Sequence, residues 1–239
     1  MEFKTPLVRG RLVKRYKRFL ADVTLDNGQT IIVSCPNTGS MKGLTEPGNY
    51  VWLSTHDSPT RKYRHTWEMV EHDLGKGPTI VGINTNHPNQ LVSEAIGAGK
   101  IGSLKGYGDL RREVKYGKEN SRIDILLEDK KKGLCYVEVK NVHLMRAPGL
   151  AEFPDSVTER GAKHLRELSE MVKQGHRAVM IFLVQREDAT RVALARDIDP
   201  KYGDAFDAAR QSGVEALAYR CSVSPEEIKI AKKIKITDT

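Results

Sequence analysis

The 239-residue chain has little to staple it together, with only three cysteines, Cys35, Cys135 and Cys221, far apart and without a CxxC pair or a Cys/His cluster. A disulfide framework is excluded and a structural zinc site disfavoured, because both need closely spaced ligands. A reducing, cytoplasmic compartment is the simplest expectation. No apolar run reaches the ~18–20 residues that span a bilayer. The longest, Ala178-Val-Met-Ile-Phe-Leu-Val184, has only the length of a strand. Met1-Glu-Phe-Lys-Thr-Pro6 holds no apolar signal core, so neither secretion nor a membrane is expected. Gly97/Gly99 and Gly106/Gly108 are glycine pairs without a P-loop lysine, so no nucleotide site follows. No Ser/His/Asp or Cys/His constellation is legible, and no helix-turn-helix signal supports sequence-specific regulation as the primary role. Internal repeats and low-complexity segments are also missing.

What the chain does have is a core and an excess of positive charge. Hydrophobic residues make up 39% and charged residues 29%, with a net charge of +8, which suits a folded chain of about two domains. The charge is concentrated: residues 1–20 hold seven basic residues and one acidic. A basic stripe is what a phosphate-backbone binder needs, although a solvated surface would read the same way from composition alone.

The first eighty residues read as short strands at 7–13, 19–25, 29–34 and 50–53. Turns at Asp26-Asn-Gly28, Pro36-Asn-Thr-Gly39 and Glu46-Pro-Gly-Asn49 separate them. The spacing predicts a small five-stranded OB-like β-barrel over residues 1–80. Arg9, Arg11, Lys14, Arg15, Lys17 and Arg18 cluster around one strand pair. Arg61, Lys62 and Arg64 form a second basic stretch interleaved with Tyr63, His65 and Trp67. An OB barrel holds a nucleic-acid strand with a basic groove and stacking aromatics, for which Tyr16, Tyr63 and Trp67 are candidates. Tyr16 and Trp67 serve equally well as core residues. Pro36-Asn-Thr-Gly-Ser-Met41 reads as a polar loop able to reach a phosphate, or as a plain barrel turn.

After residue 80 the pattern changes to a helix at 90–96, strands at 112–116, 121–128 and 134–142, and a helix at 158–174. A buried strand at 178–184, a helix at about 203–212 and a strand at 214–220 follow. This order predicts an α/β domain over residues 81–239, a central mixed sheet flanked by helices.

The chemistry lies in the three strands. In Tyr136-Val-Glu-Val-Lys140, side chains alternate, so Glu138 and Lys140 share one face while the valines face a core. Asp124 is embedded in an apolar strand one hairpin earlier and can sit beside Glu138. Two adjacent carboxylates need a cation, and hard oxygen ligands suit Mg²⁺ or Mn²⁺. A neighbouring lysine can orient or deprotonate a water and stabilise a pentacovalent phosphate. That set serves metal-assisted phosphodiester hydrolysis. An exposed Glu–Lys pair is common in strands, so the signal rests on Asp124, the hairpin and the helix order together. Glu94 on the first helix stands either as a further metal carboxylate or as a solvated glutamate. Arg160 and His164, four residues apart next to Lys163, share a helix face that can bind phosphate or hold a leaving group.

Asp124…Glu138-x-Lys140 preceded by Glu94 resembles the PD-(D/E)xK nuclease superfamily, with Ile123 where that motif often has Pro. The whole chain more closely resembles the sugar fermentation stimulation protein family. The resemblance is carried by Pro36-Asn-Thr-Gly-Ser-Met41, Arg122-Ile-Asp124, Val137-Glu-Val-Lys-Asn-Val142 and Phe153-Pro-Asp-Ser-Val-Thr-Glu-Arg-Gly-Ala-Lys-His-Leu165. It implies an N-terminal OB-like domain, a nuclease-like C-terminal domain, DNA binding and a link to the regulation of sugar metabolism. Three functions are compatible with these residues. They are a metal-dependent nuclease that holds DNA on its barrel, a DNA-binding regulator without turnover, and an RNA- or protein-interaction module. A second copy of the chain is a further candidate partner.

Overall fold

A computed structural model describes residues 1–237. The N-terminal sheet contains β1 (Val8–Tyr16), β2 (Leu20–Leu25), β3 (Thr30–Ser34), β4 (Tyr50–Thr55), β5 (His65–His72) and β6 (Thr79–Gly82). Its order is β3-β2-β1-β4-β5-β6, and a parallel β3–β5 pairing at Ser34↔Thr66 closes the first five strands into the expected barrel. Leu12, Val23, Val33, Leu53 and Trp67 fill its interior. β5 has no counterpart among the strands expected from sequence, because it is buried on both faces and carries no clean alternation. β6 pairs with β5 and so carries barrel structure across residue 80.

The second part begins with α1 (Pro88–Gly97), then β7 (Asp109–Tyr116), β8 (Ser121–Asp129), β9 (Gly133–Val142), β10 (Leu144–Ala147) and β11 (Leu150–Phe153). α2 (Glu159–Lys173), β12 (Arg177–Val184), β13 (Arg191–Leu194), α3 (Pro200–Gln211), β14 (Glu215–Val223) and β15 (Ile228–Thr237) complete it. The nine strands form one mixed sheet, ordered β10-β11-β13-β15-β14-β12-β9-β8-β7. β12 runs parallel to β9 and β14, and its apolar run is buried because both faces are covered. Three helices and the predicted strands are in place; β10, β11, β13 and β15 are additional. β10, β11 and β13 are four residues each, too short to show a period, whereas the Ile/Lys alternation of β15 is a strand pattern that the sequence does carry.

On one sheet face α2 and α3 pack over Phe182, Ala218 and Tyr136; on the other, α1 and the barrel cover Val137, Val139, Val179 and Ile181. Trp52 and Met69 point out of the barrel into this second core, which joins the two parts. Three polar ties reinforce the joint. Gly82 N donates to Gln185 O at 2.8 Å, the buried Arg186 reaches His72 at 3.3 Å, and Ser40 Oγ donates to Asp155 O at 2.8 Å. A Cβ at Gly82 would lie 2.8 Å from Gln185 Oε1, so a larger residue there would push the Gln185 side chain aside.

Thr158 caps α2 by accepting the Gly161 amide at 3.0 Å, with Glu159 favourable at the positive end of the helix. Asp199 accepts the Tyr202 amide at 3.0 Å to cap α3 and the Thr158 amide at 2.8 Å, tying the two helix starts together. No helix among the described residues is long and apolar enough to cross a membrane.

Candidate metal and phosphodiester site

The β8–β9 ladder runs in register from Asp129↔Gly133 to Ile125↔Val137 and stops there. One residue further, Asp124 takes over: its Oδ2 accepts the Val139 amide at 2.7 Å. A strand pair that splays leaves donors behind, and a side chain that satisfies one of them is fixed in place. Asp124 therefore lies at the mouth of the opening, next to Glu138. Its other oxygen accepts from Asn89 Nδ2 at 2.8 Å, at the start of α1.

Glu138 and Lys140 share the α2-facing side of β9, as the alternation requires. Lys140 Nζ donates to Glu138 Oε1 at 2.7 Å, with both side chains largely withdrawn from solvent. His164, buried on the inner face of α2, contacts the same oxygen through Nδ1. Nδ1 cannot donate to a carboxylate and also accept from the Lys140 ammonium, which lies 3.4 Å away. The carboxylate contact is far the tighter, so the Nδ1–H tautomer is assigned. Nε2 is then free to accept from Arg160 Nε at 3.4 Å, a long bond.

Burial and the charge of Glu138 push Asp124 up to about 6. Burial also pushes Glu138 up, but Lys140 and His164 outweigh it and hold that carboxyl below its ordinary range. One carboxylate of the pair is neutralised locally and the other is not. Glu138 Oε2 is buried without a hydrogen-bond partner. An orphaned carboxylate oxygen beside an unneutralised aspartate fits a hard divalent cation. Among the described residues no three His, Cys, Asp or Glu side chains already converge at ligating distance.

The expected helpers divide. Arg160 and His164 join the cluster, whereas Lys163 turns away to the Glu119 carbonyl. Glu94 is not brought to the site: it accepts from Gln90 at 2.7 Å and pairs with the Met1 ammonium at 3.0 Å. Five residues after Asn89, it lies roughly 140° around the helix from the side chain that does reach Asp124. Asn89 and Glu113 are not marked by the sequence. Neither residue type nor spacing singles them out, because their position depends on how α1 and β7 meet β8.

On the barrel, Lys17 and Arg18 form the exposed β1–β2 tip in the left-handed region, at φ of 51° and 64°. Arg9 and Arg11 stack over the Tyr50 ring at 4.5 and 4.0 Å, and Lys14 pairs with Asp22 at 3.6 Å. Arg61 reaches Thr66 at 3.5 Å, Lys62 lies over Tyr63, and Arg64 pairs with Asp57 at 2.8 Å. Arg15 differs from these cations. Its Nη2 lies 2.7–2.9 Å from Arg18 O, Asn37 O and Gly39 O and shares its two hydrogens among them, which braces the 36–41 loop. That loop docks on Asp155, with Met41 N donating to Oδ2 at 3.1 Å, so it joins the two parts. Trp67 is fully buried and donates to Met69 O at 2.8 Å; it belongs to the core and cannot stack on a ligand. Tyr16 is half-buried and donates to Asp22 at 2.9 Å.

The fold and site define a two-part protein: an OB barrel joined to a mixed-sheet domain with a carboxylate–lysine centre. Family models agree with both parts, the SfsA N-terminal OB domain matching residues 13–83 and the sugar fermentation stimulation protein RE domain residues 86–227. The chain belongs to the sugar fermentation stimulation protein family. It is 58% identical to a sugar fermentation stimulation protein homolog of Rhizobium meliloti, covering 100% of this chain and 98% of the relative. A homolog from Azorhizobium caulinodans is 57% identical, with 98% of each chain covered. Among solved structures, Pyrococcus furiosus SfsA in complex with Ca²⁺ superposes with a TM-score of 0.88 at 26% identity. It covers 99% of this chain and 98% of that one.

Proposed function

We propose that the protein is a DNA-binding, divalent-metal-dependent nuclease of low sequence preference. The observation that carries this reading is the splayed hairpin, which sets Asp124 beside Glu138 with Lys140 on the same face. A related fold in complex with Ca²⁺ supports a divalent cation in the family. Asp124 and Glu138 would hold Mg²⁺ or Mn²⁺, which supplies Lewis acidity toward the phosphodiester. Lys140 then orients the attacking water and stabilises charge on the phosphate. His164 keeps its Nδ1 proton on Glu138, and with Arg160 it forms the polar wall that faces the leaving group. The exposed cations of the barrel, Arg9, Lys14, Lys17, Arg18, Lys62 and Arg64, hold the nucleic-acid backbone.

The test is incubation of the purified chain with labelled single- and double-stranded DNA and RNA, with Mg²⁺, Mn²⁺ or EDTA. Metal-dependent cleavage lost in Asp124→Asn supports the proposal. Salt-sensitive binding without cleavage in any metal would leave a DNA-binding protein without turnover, and cleavage persisting in EDTA would exclude this centre.

A further inference from the structure

We propose that Glu113 of β7 is the third carboxylate of the cation site, in the role that the sequence pattern assigns to Glu94. This inference rests on the metal-dependent reading above. β7 pairs with β8 through Arg112↔Ile125 and Val114↔Ile123, so Glu113 lies directly opposite Asp124. Its backbone occupies the left-handed region at φ 54°, inside a strand of otherwise extended residues. A glutamate gains nothing locally from that conformation. What the conformation accompanies is the placement of the carboxylate: Asn89 Nδ2 donates to Glu113 Oε1 at 3.2 Å and to Asp124 Oδ1 at 2.8 Å.

The Asn89 amide nitrogen, which a bound cation would displace, therefore bridges an oxygen from each strand and leaves the two oxygens no more than about 6 Å apart. Ligand bonds to Mg²⁺ or Mn²⁺ near 2.0–2.2 Å are reached by an inward movement of about an ångström from each side chain. An independent observation points to the same cation. Glu138, 2% exposed, follows Val137 at the mouth of the same hairpin and keeps its Oε2 unpartnered. Carboxylates from three adjacent strands would then converge on one position once a cation draws them inward, which they do not do without it. Glu94 contributes nothing there, being fixed on the Met1 ammonium.

The experiment is calorimetric titration of the full chain with Mn²⁺, supported by the resonance spectrum of the bound ion, on wild type and Glu113→Gln, Asp124→Asn and Glu94→Gln. Glu113→Gln is expected to weaken Mn²⁺ binding by about tenfold or more, because one formal ligand charge is lost. Its thermal stability without Mn²⁺ should stay at the wild-type level, since Glu113 is exposed. Glu94→Gln should bind as wild type does. If Glu113→Gln binds Mn²⁺ at wild-type affinity while Asp124→Asn does not, Glu113 is no ligand and the metal-dependent reading survives. If the wild type itself binds no Mn²⁺, both fall together. Loss of affinity in Glu94→Gln with Glu113→Gln unaffected would return the role to the helix.

Discussion

Asp124 accepts the Val139 amide at 2.7 Å, standing in for the ladder bond that β8 and β9 cease to make beyond Ile125↔Val137. The carboxylate is thus held at the point where the sheet opens, in contact with Glu138's charge and shielded from water. Its raised protonation is the electrostatic sign of that placement.

A pH test follows from it. Burial and then Glu138 lift Asp124 to about 6, so the folded state binds this proton more tightly than the unfolded chain does. Stability from this group is therefore present at low pH and declines as pH rises from the ordinary value near ~4 through about 6, by on the order of 2 kcal/mol. Urea unfolding without divalent ions, at pH 4.5 and 7.5, should show Asp124→Asn gaining about that much on wild type between the two conditions. An unchanged difference would mean the carboxylate is not perturbed.

Lys140 stands between ligand and catalyst, 2.7 Å from the Glu138 oxygen it shares with His164. Lys140→Ala should lower cleavage by at least about a hundredfold, the usual range for loss of a positioned proton-transfer or water-orienting group. Mn²⁺ affinity should hold or rise, because the variant removes a competing cation from Glu138. Single-turnover cleavage and calorimetry on the same preparation separate the two effects; a parallel loss in both would make Lys140 structural.

The fold is legible in the sequence where period and punctuation agree. Glu138 and Lys140 sharing a face follows from strand alternation alone, and the register then carries Asp124 to their side. Thr158, Gly175 and the apolar spacing of Leu165, Leu168 and Met171 bound α2 to within one residue. The missing pieces are tertiary. Glu94 and Asn89 are both polar residues of one helix, and only the angle at which α1 meets β8 decides which reaches Asp124. Arg15 and Arg18 are equally basic in sequence, yet Arg15 faces the carbonyls of the 36–41 loop and Arg18 lies at a hairpin tip. Trp67 sits in a basic stretch but alternates into the barrel core.

Arg15 and Arg18 should accordingly separate when mutated. Arg15→Ala removes the Nη2 group whose two hydrogens serve the Asn37 and Gly39 loop carbonyls and Arg18 O, and should cost about 1–3 kcal/mol in urea unfolding, at net hydrogen-bond values of ~0.5–1.5 kcal/mol for each of two bonds. A Lys17→Glu, Arg18→Glu double variant should leave stability within ~0.5 kcal/mol and weaken DNA on every sequence alike. Its log K against log salt should flatten by ~0.7–0.9 per lost phosphate contact. Unchanged affinity in that double variant would remove the β1–β2 tip from the binding surface.

Asp155 clamps the seam between the two parts. Burial pushes Asp155 up, but His143, the Met41 amide and the Ser40 hydroxyl outweigh it and hold its carboxyl well below the usual range. His143 Nε2 lies 3.4 Å from Oδ2 without hydrogen-bond alignment, so its influence is that of proximity, and the directed bonds are those of Met41 and Ser40 at 3.1 and 3.0 Å. A depressed carboxylate stabilises the fold above its unfolded value near ~4 and loses that contribution as pH falls below it. Asp155→Asn should therefore cost about 2 kcal/mol at pH 7, and the deficit should shrink by pH 3. Asp155 precedes the Thr158 cap by three residues, so the same clamp fixes the start of the helix that carries Arg160 and His164. Ser40→Ala, which removes the barrel's hydroxyl and leaves the aspartate in place, should lower cleavage severalfold while DNA affinity stays at the wild-type level. Equal losses in cleavage and affinity would show that the loop binds substrate directly instead of positioning α2.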